Sequence, residues 1–159
     1  MAYINIDHLT KDYGKGRGIF DVSLEINKGE IYGFVGINGA GKTTTIRHMV
    51  GFLKPDEGNV LIKGIDATKN SAEVKRHVSY IPGEINFPGN STGEVFLKDQ
   101  IYLSGRGSWE HAKELSSLFQ LDVTANVHSM SKGMKQKTAI VSAFASDADI
   151  LIMDEPSTG

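Results

Sequence analysis

Eight residues, Gly36-Ile-Asn-Gly-Ala-Gly-Lys-Thr43, have the types and the spacing to hold a phosphate chain. Two glycines with four residues between them, then Lys42 and Thr43, fit the P-loop pattern. Gly36, Gly39 and Gly41 let the backbone approach phosphate oxygens closely, in conformations closed to other residues. Backbone N–H groups along the loop and into the next turn, from Asn38 and Ala40 to Thr44, then surround the anion at the positive end of a helix. Lys42 would reach the β- and γ-phosphates of a nucleotide, and the Thr43 hydroxyl would hold Mg²⁺. A chance Gly-rich turn needs no flanking elements. Here the apolar run Glu30-Ile-Tyr-Gly-Phe-Val35 predicts a buried strand before the loop, and Thr43 to Val50 predicts a helix after it, ended by Gly51.

A second group of residues supplies carboxylate oxygens. Asp149-Ile-Leu-Ile-Met-Asp154 predicts a buried strand ending in acid, with Glu155 next. Asp154, at the strand's carboxyl end, is a candidate Mg²⁺ ligand, directly or through water. Glu155 is placed to polarise or deprotonate an attacking water. Alone, the pair also reads as a capping acid before Pro156 in a turn; beside a P-loop that reading weakens. The third group is Met130-Ser-Lys-Gly-Met134, followed by Lys135-Gln136. Ser131 caps a predicted helix, and its hydroxyl with the free N–H groups makes another anion site. Taken alone, a simple capped helix is the better reading, because the P-loop already holds the phosphates.

Composition bounds these readings. A chain of 159 residues, 40% hydrophobic, suits one soluble globular domain. A net charge of −2 gives no electrostatic case for nucleic acid or an anionic membrane. Lys132, Lys135 and Lys137 therefore read as a solvated helix face, and the single Trp109 as packing. With no cysteine there is no disulfide, thiolate catalysis or Cys-ligated zinc. No apolar run approaches the roughly 18 residues of a membrane span, and Met1-Ala-Tyr-Ile-Asn-Ile-Asp7 does not read as a signal peptide.

The elements needed to position these groups alternate along the chain. Tyr3 to Leu9 and Asp21 to Ile26 alternate apolar and polar residues, as half-buried strands do. A turn at Lys54-Pro-Asp-Glu-Gly58 precedes a strand at Val60-Leu-Ile62. A brief helix from Ser71 to Arg76 leads to an apolar Val78-Ser-Tyr-Ile81, then a loop with Pro82-Gly83 and Pro88-Gly89-Asn90. Ser91-Thr-Gly-Glu94 has capping-box spacing and predicts a helix to about Leu103. Ser108 caps the next helix through Phe119, and Ser131 caps a third whose Met134, Thr138, Val141 and Ala145 share a face. No repeat or low-complexity tract interrupts this order.

Taken together, Tyr13, the P-loop, the Pro-containing loop, the Ser131-Lys-Gly133 helix start and Asp154-Glu-Pro-Ser-Thr-Gly159 resemble the nucleotide-binding domain of ABC transporters, over the whole chain. The pattern is most similar to stand-alone ATP-binding subunits of bacterial exporters of drugs or other small molecules. The resemblance implies an α/β fold: a P-loop NTPase core with a mostly parallel sheet, an N-terminal antiparallel β portion and an inserted helical subdomain at about 91–130. It implies Mg²⁺ and ATP as cofactors, with Tyr13 stacking on adenine; unaided, Tyr13 is evenly balanced between packing and recognition. It places Ser131 and Gly133 in the family signature. Two such domains pair head to tail, as a homodimer or with a related domain, so that each signature contacts ATP held by the other P-loop. The helices from Ser91 to Phe119 would face a membrane-spanning permease subunit. The expected location is cytoplasmic, peripheral on the inner face of the cell membrane.

The chain departs from the family pattern at three places. The usual Leu-Ser-Gly-Gly-Gln is Met130-Ser131-Lys132-Gly133-Met134, which keeps Ser131 and Gly133. Where a Gln usually follows Tyr-x-Pro, the chain has Tyr80-Ile-Pro82 and then Gly83-Glu84, so Glu84 becomes the candidate to face Mg²⁺ or the attacking water. The family continues past the acidic strand with Leu-Asp, further strands and a His that contacts the γ-phosphate. None of His8, His48, His77, His111 and His128 lies beyond Glu155. The expectation is thus that 1–159 is the N-terminal portion of a single domain, a nucleotide-binding fragment with negligible turnover as it stands. A related ATPase of DNA repair or translation usually brings tandem domains or long coiled-coil insertions, which do not fit between Gly41 and Asp154. A P-loop GTPase would want Asn-Lys-x-Asp after the loop, and the only Asn-Lys, Asn27-Lys28, precedes it.

Overall fold

Alternating apolar and polar residues build an antiparallel sheet at the start of the chain. Strand β1 (Ala2–Asp12) pairs with β2 (Gly18–Asn27) on one side and β3 (Glu57–Ile62) on the other, and a short β4 (Ile65–Asp66) follows β3. Ile4, Ile6, Leu9, Val60 and Ile62 are buried, as strands covered on one face require. The computed structural model describes residues 2–87, 89 and 91–156. Pro88 and Asn90 of the breaker-rich loop, and Ser157, Thr158 and Gly159, lie outside the described residues.

The β1–β2 ladder shifts register between Ile6 and Leu9, where His8 (φ 47°) is left-handed, and again between Leu9 and Lys11, where Asp21 (φ 53°) of β2 is left-handed. Side chains take up the backbone groups released there: Ser23 Oγ accepts from His8 N at 2.9 Å and Thr10 Oγ1 from Asp21 N at 3.0 Å. The Asp21 carboxylate, 2.5 Å from His8 Nδ1, raises the imidazole pKa above its ordinary value. Helix α1 (Lys42–Met49) buries Ile46 and Met49 and contacts β2 and β3; α2 (Ser71–Val74) lies against β4.

One expected strand is not formed. Residues 30–37 have no regular structure, and Ile31, Tyr32, Val35 and Ile37 are exposed. An apolar run becomes a strand only by pairing its backbone, and this segment joins neither sheet.

The chain divides into two units, Met1–His77 and Val78–Gly159. In the second, β5 (Val78–Ile81) and β6 (Ile150–Met153) pair in parallel from Val78↔Ile150 to Ile81↔Met153. Among the described residues these two strands are the whole parallel portion of this α/β fold. The long crossover carries α3 (Gly93–Ser104), α4 (Trp109–Leu118) and α5 (Lys132–Ala145). Leu97, Ala112, Leu121, Val141 and Ala145 form their shared core, with Trp109 packed at its margin. Ser108 and Ser131 cap α4 and α5 as their positions predict. The cap of α3 differs. Thr92, not Ser91, accepts from Val95 N, while the Ser91 carbonyl accepts from Val127 N; Glu94 pairs with Lys98 instead of closing a capping box.

Candidate nucleotide-binding site

The P-loop runs irregularly from Gly36 to Gly41 and then enters α1. Gly41 is the N-cap, with φ 93°, and a Cβ there would sit 2.2 Å from Cγ2 of Ile19, a buried residue of β2. Both conformation and space demand glycine. Gly39, at φ 86°, has open space around it, so only its conformation is special. Gly41→Ala is expected to cost about 2–4 kcal/mol through overpacking and left-handed strain. Urea denaturation measures it.

The start of α1 has neither a side-chain cap nor an acid in its first turn, so its N–H groups and dipole face outward uncompensated. Lys42 bends over the loop, its Nζ donating to the carbonyls of Gly36 at 2.8 Å and Ile37 at 3.0 Å. Thr43 and Thr44 are half-buried; Asn38 and Ala40 are exposed. Below them, buried His48 makes a 2.8 Å contact from Nδ1 to the Thr44 carbonyl, one turn back in the same helix. Tyr13 is on the β1–β2 connection, half exposed, its N–H bonded to the Arg17 carbonyl at 2.8 Å. That connection closes at Gly18 and Ile19, the residues against Gly41, so the hairpin end that carries Tyr13 and the end of the P-loop are joined by direct packing.

The second unit carries the acids. Asp154 N donates to the Ile81 carbonyl at 2.9 Å, which extends the β5–β6 ladder by one residue and buries Asp154. Glu155 is exposed and left-handed, at φ 49°. The loop after β5 lies alongside: a Cβ on Gly83 would be 3.5 Å from the Asp154 carbonyl and 4.0 Å from Glu155 Cβ, both ordinary contacts. The fold brings Gly83 beside the two acids, and Glu84, the sequence's candidate to face Mg²⁺ or the attacking water, is exposed. At the start of α5, Ser131, Lys132 and Gly133 are all exposed, while Met130 is buried and accepts at Sδ from the Thr138 hydroxyl at 3.4 Å. The Gln136 side-chain amide donates to the Pro156 carbonyl, a link between α5 and the acidic segment with no signal in the sequence.

Mg²⁺ prefers oxygen donors, commonly one or two carboxylates together with substrate phosphates. The Thr43 hydroxyl at a helix start and the buried Asp154 carboxylate are donors of that kind.

The glycine loop, the open helix start and the acid-ended parallel strand belong to the P-loop class of α/β nucleotide-binding folds. Within it, the family model described as ABC transporter matches residues 19–158, and the chain belongs to that family. It is 34% identical over 161 residues to the probable multidrug ABC transporter ATP-binding protein YbhF of Escherichia coli (strain K12), covering 98% of this chain and 28% of that protein. It is 38% identical over 149 residues to the ABC transporter ATP-binding protein NatA of Bacillus subtilis (strain 168), covering 90% of this chain and 61% of that one. A solved structure of an ATP binding subunit of an ABC transporter matches with a TM-score of 0.87 at 29% identity, covering 98% of this chain and 67% of that chain. The chain thus spans less than two thirds of the length of either curated relative.

Proposed function

We propose that this chain is the nucleotide-binding part of a subunit that binds and hydrolyses Mg·ATP to power a separate membrane-spanning permease, of the exporter kind. The observation that carries the reading is the P-loop itself: left-handed Gly39 and Gly41, an uncapped and acid-free helix start, and Lys42 poised over the loop. In this reading N–H groups from Gly36 to Thr44 hold the phosphates, and Tyr13 stacks on adenine with its half-exposed ring. Thr43 and Asp154 would supply oxygen donors for Mg²⁺, which when bound would neutralise phosphate charge. Glu155 takes the proton of the attacking water, and Glu84 orients the same region from the neighbouring loop.

Head-to-tail pairing with a second ATP-binding domain gives the exposed Ser131 and Gly133 their ligand, the nucleotide of the other subunit. The inserted helices at 91–130 are assigned to the permease side, which their exposed Tyr102, Leu103 and Leu118 support. No helix among the described residues is long and apolar enough to cross a membrane. The site then works on the cytoplasmic face.

The direct test is Lys42→Ala. A charge-assisted contact contributes roughly 1.5–3 kcal/mol, so ATP affinity measured by calorimetry should fall about ten- to a hundredfold. Unchanged affinity would overturn the P-loop assignment.

A further inference from the structure

We infer that Gln136 is a positioning residue for Glu155, and that it links the exposed signature at the start of α5 to the acid that activates water. The inference rests on the reading of Glu155 as that acid. Glu155 occupies the left-handed region at φ 49°, where a residue with a side chain is held only by its surroundings. The surroundings are specific. On the N-terminal side, Asp154 N is tied to the Ile81 carbonyl and the Asp154 carbonyl abuts Gly83. On the C-terminal side, the Pro156 carbonyl accepts from the Gln136 amide. Glu155 is therefore pinned between two anchored neighbours, and Gln136 is the anchor contributed by a different element. Gln136 is three residues beyond Gly133 on α5, and residues at that spacing share a helix face. A displacement of the signature end of α5 would carry Gln136, and with it the Pro156 carbonyl and the backbone setting of Glu155. Occupancy of the signature by a nucleotide would in this way adjust the acid in the same subunit.

The geometry sets the test. Gln136→Ala removes the donor, and Gln136→Glu replaces it with a group that repels the carbonyl. Gln136→Lys keeps an N–H donor at comparable reach. A small misplacement of a reacting group can cost about 10²-fold, so kcat of the full-length protein at saturating ATP should fall roughly ten- to a hundredfold in the first two variants. KM and the ATP dissociation constant should stay within about twofold, and Gln136→Lys should recover most of the rate. Adding Gln136→Ala to Glu155→Gln should leave the ATP-bound dimer seen by gel filtration intact. Unchanged kcat in the Ala and Glu variants would overturn the inference. So would a Lys variant as slow as the Ala variant, an equal loss of ATP affinity, or loss of that dimer, each of which would mark Gln136 as a structural or signature contact. Failure of the unsubstituted protein to bind ATP, or full turnover in Glu155→Gln, would instead overturn the underlying reading.

Discussion

Glu155→Gln in the full-length protein should bind ATP about as well as the unsubstituted form while hydrolysis falls by about 10²–10⁴. The amide keeps the shape and one oxygen of the carboxylate but cannot take a proton. In the proposed reading the phosphate donors are backbone groups of Gly36 to Thr44 and the Lys42 ammonium, none of them altered, so binding should survive. Glu155 is exposed, so the substitution leaves no unpaired polar group in a core. If hydrolysis is what separates the paired domains, the variant should also accumulate as an ATP-bound dimer. Phosphate release and gel filtration with ATP measure the two effects. Undiminished turnover with only monomer in the column would remove Glu155 from the chemistry.

Ser131→Arg should leave ATP binding by a single subunit intact and abolish dimerisation and turnover. At the exposed helix start a Cβ on Gly133 would meet nothing within 4 Å. Bulk and charge there disturb mainly whatever docks from outside. Ser131 also caps α5 through Met134 N at 3.2 Å, and losing such a cap costs about 1 kcal/mol, so stability must be separated from function. Ser131→Gly does this, since glycine at an N-cap costs only a few tenths of a kcal/mol. Mixing Ser131→Arg with Lys42→Ala subunits is the sharper assay. In a mixed dimer both defects fall on one composite site and the other site has neither, so activity should partly return. Normal ATPase activity in Ser131→Arg would leave Ser131 a helix cap and nothing more.

The local signals in the sequence account for most of the elements. Helices α4 and α5 start where Ser108 and Ser131 place them, since a hydroxyl cap acts within three residues. Strands β5 and β6 follow from short continuous apolar runs, Val78–Ile81 and Ile150–Met153. The misplaced features depend on partners far away in the chain. Residues 30–35 have a strand's composition but no ladder. The cap of α3 is Thr92, and the backbone of Ser91 pairs with Val127, some 35 positions later. Two successive register shifts reflect two left-handed residues on opposite strands, His8 at the first and Asp21 at the second. For the site, the phosphate loop was legible because its residues are contiguous. The packing of Ile19 on Gly41, and the bond from Gln136 to Pro156, join residues about 20 apart and could be read only from the fold.

The bent Lys42 carries a consequence for how nucleotide affinity divides into parts. Its ammonium has two carbonyl partners, those of Gly36 and Ile37. In the proposed reading, phosphate binding is then an exchange of partners, in which the lysine leaves two neutral acceptors for an anion and water takes over the acceptors it leaves. The free energy gained from Lys42 on binding is then a difference between two sets of contacts, smaller than the phosphate contact alone. Removing the lysine should cost shape as well as charge, making the empty loop more varied than the occupied one.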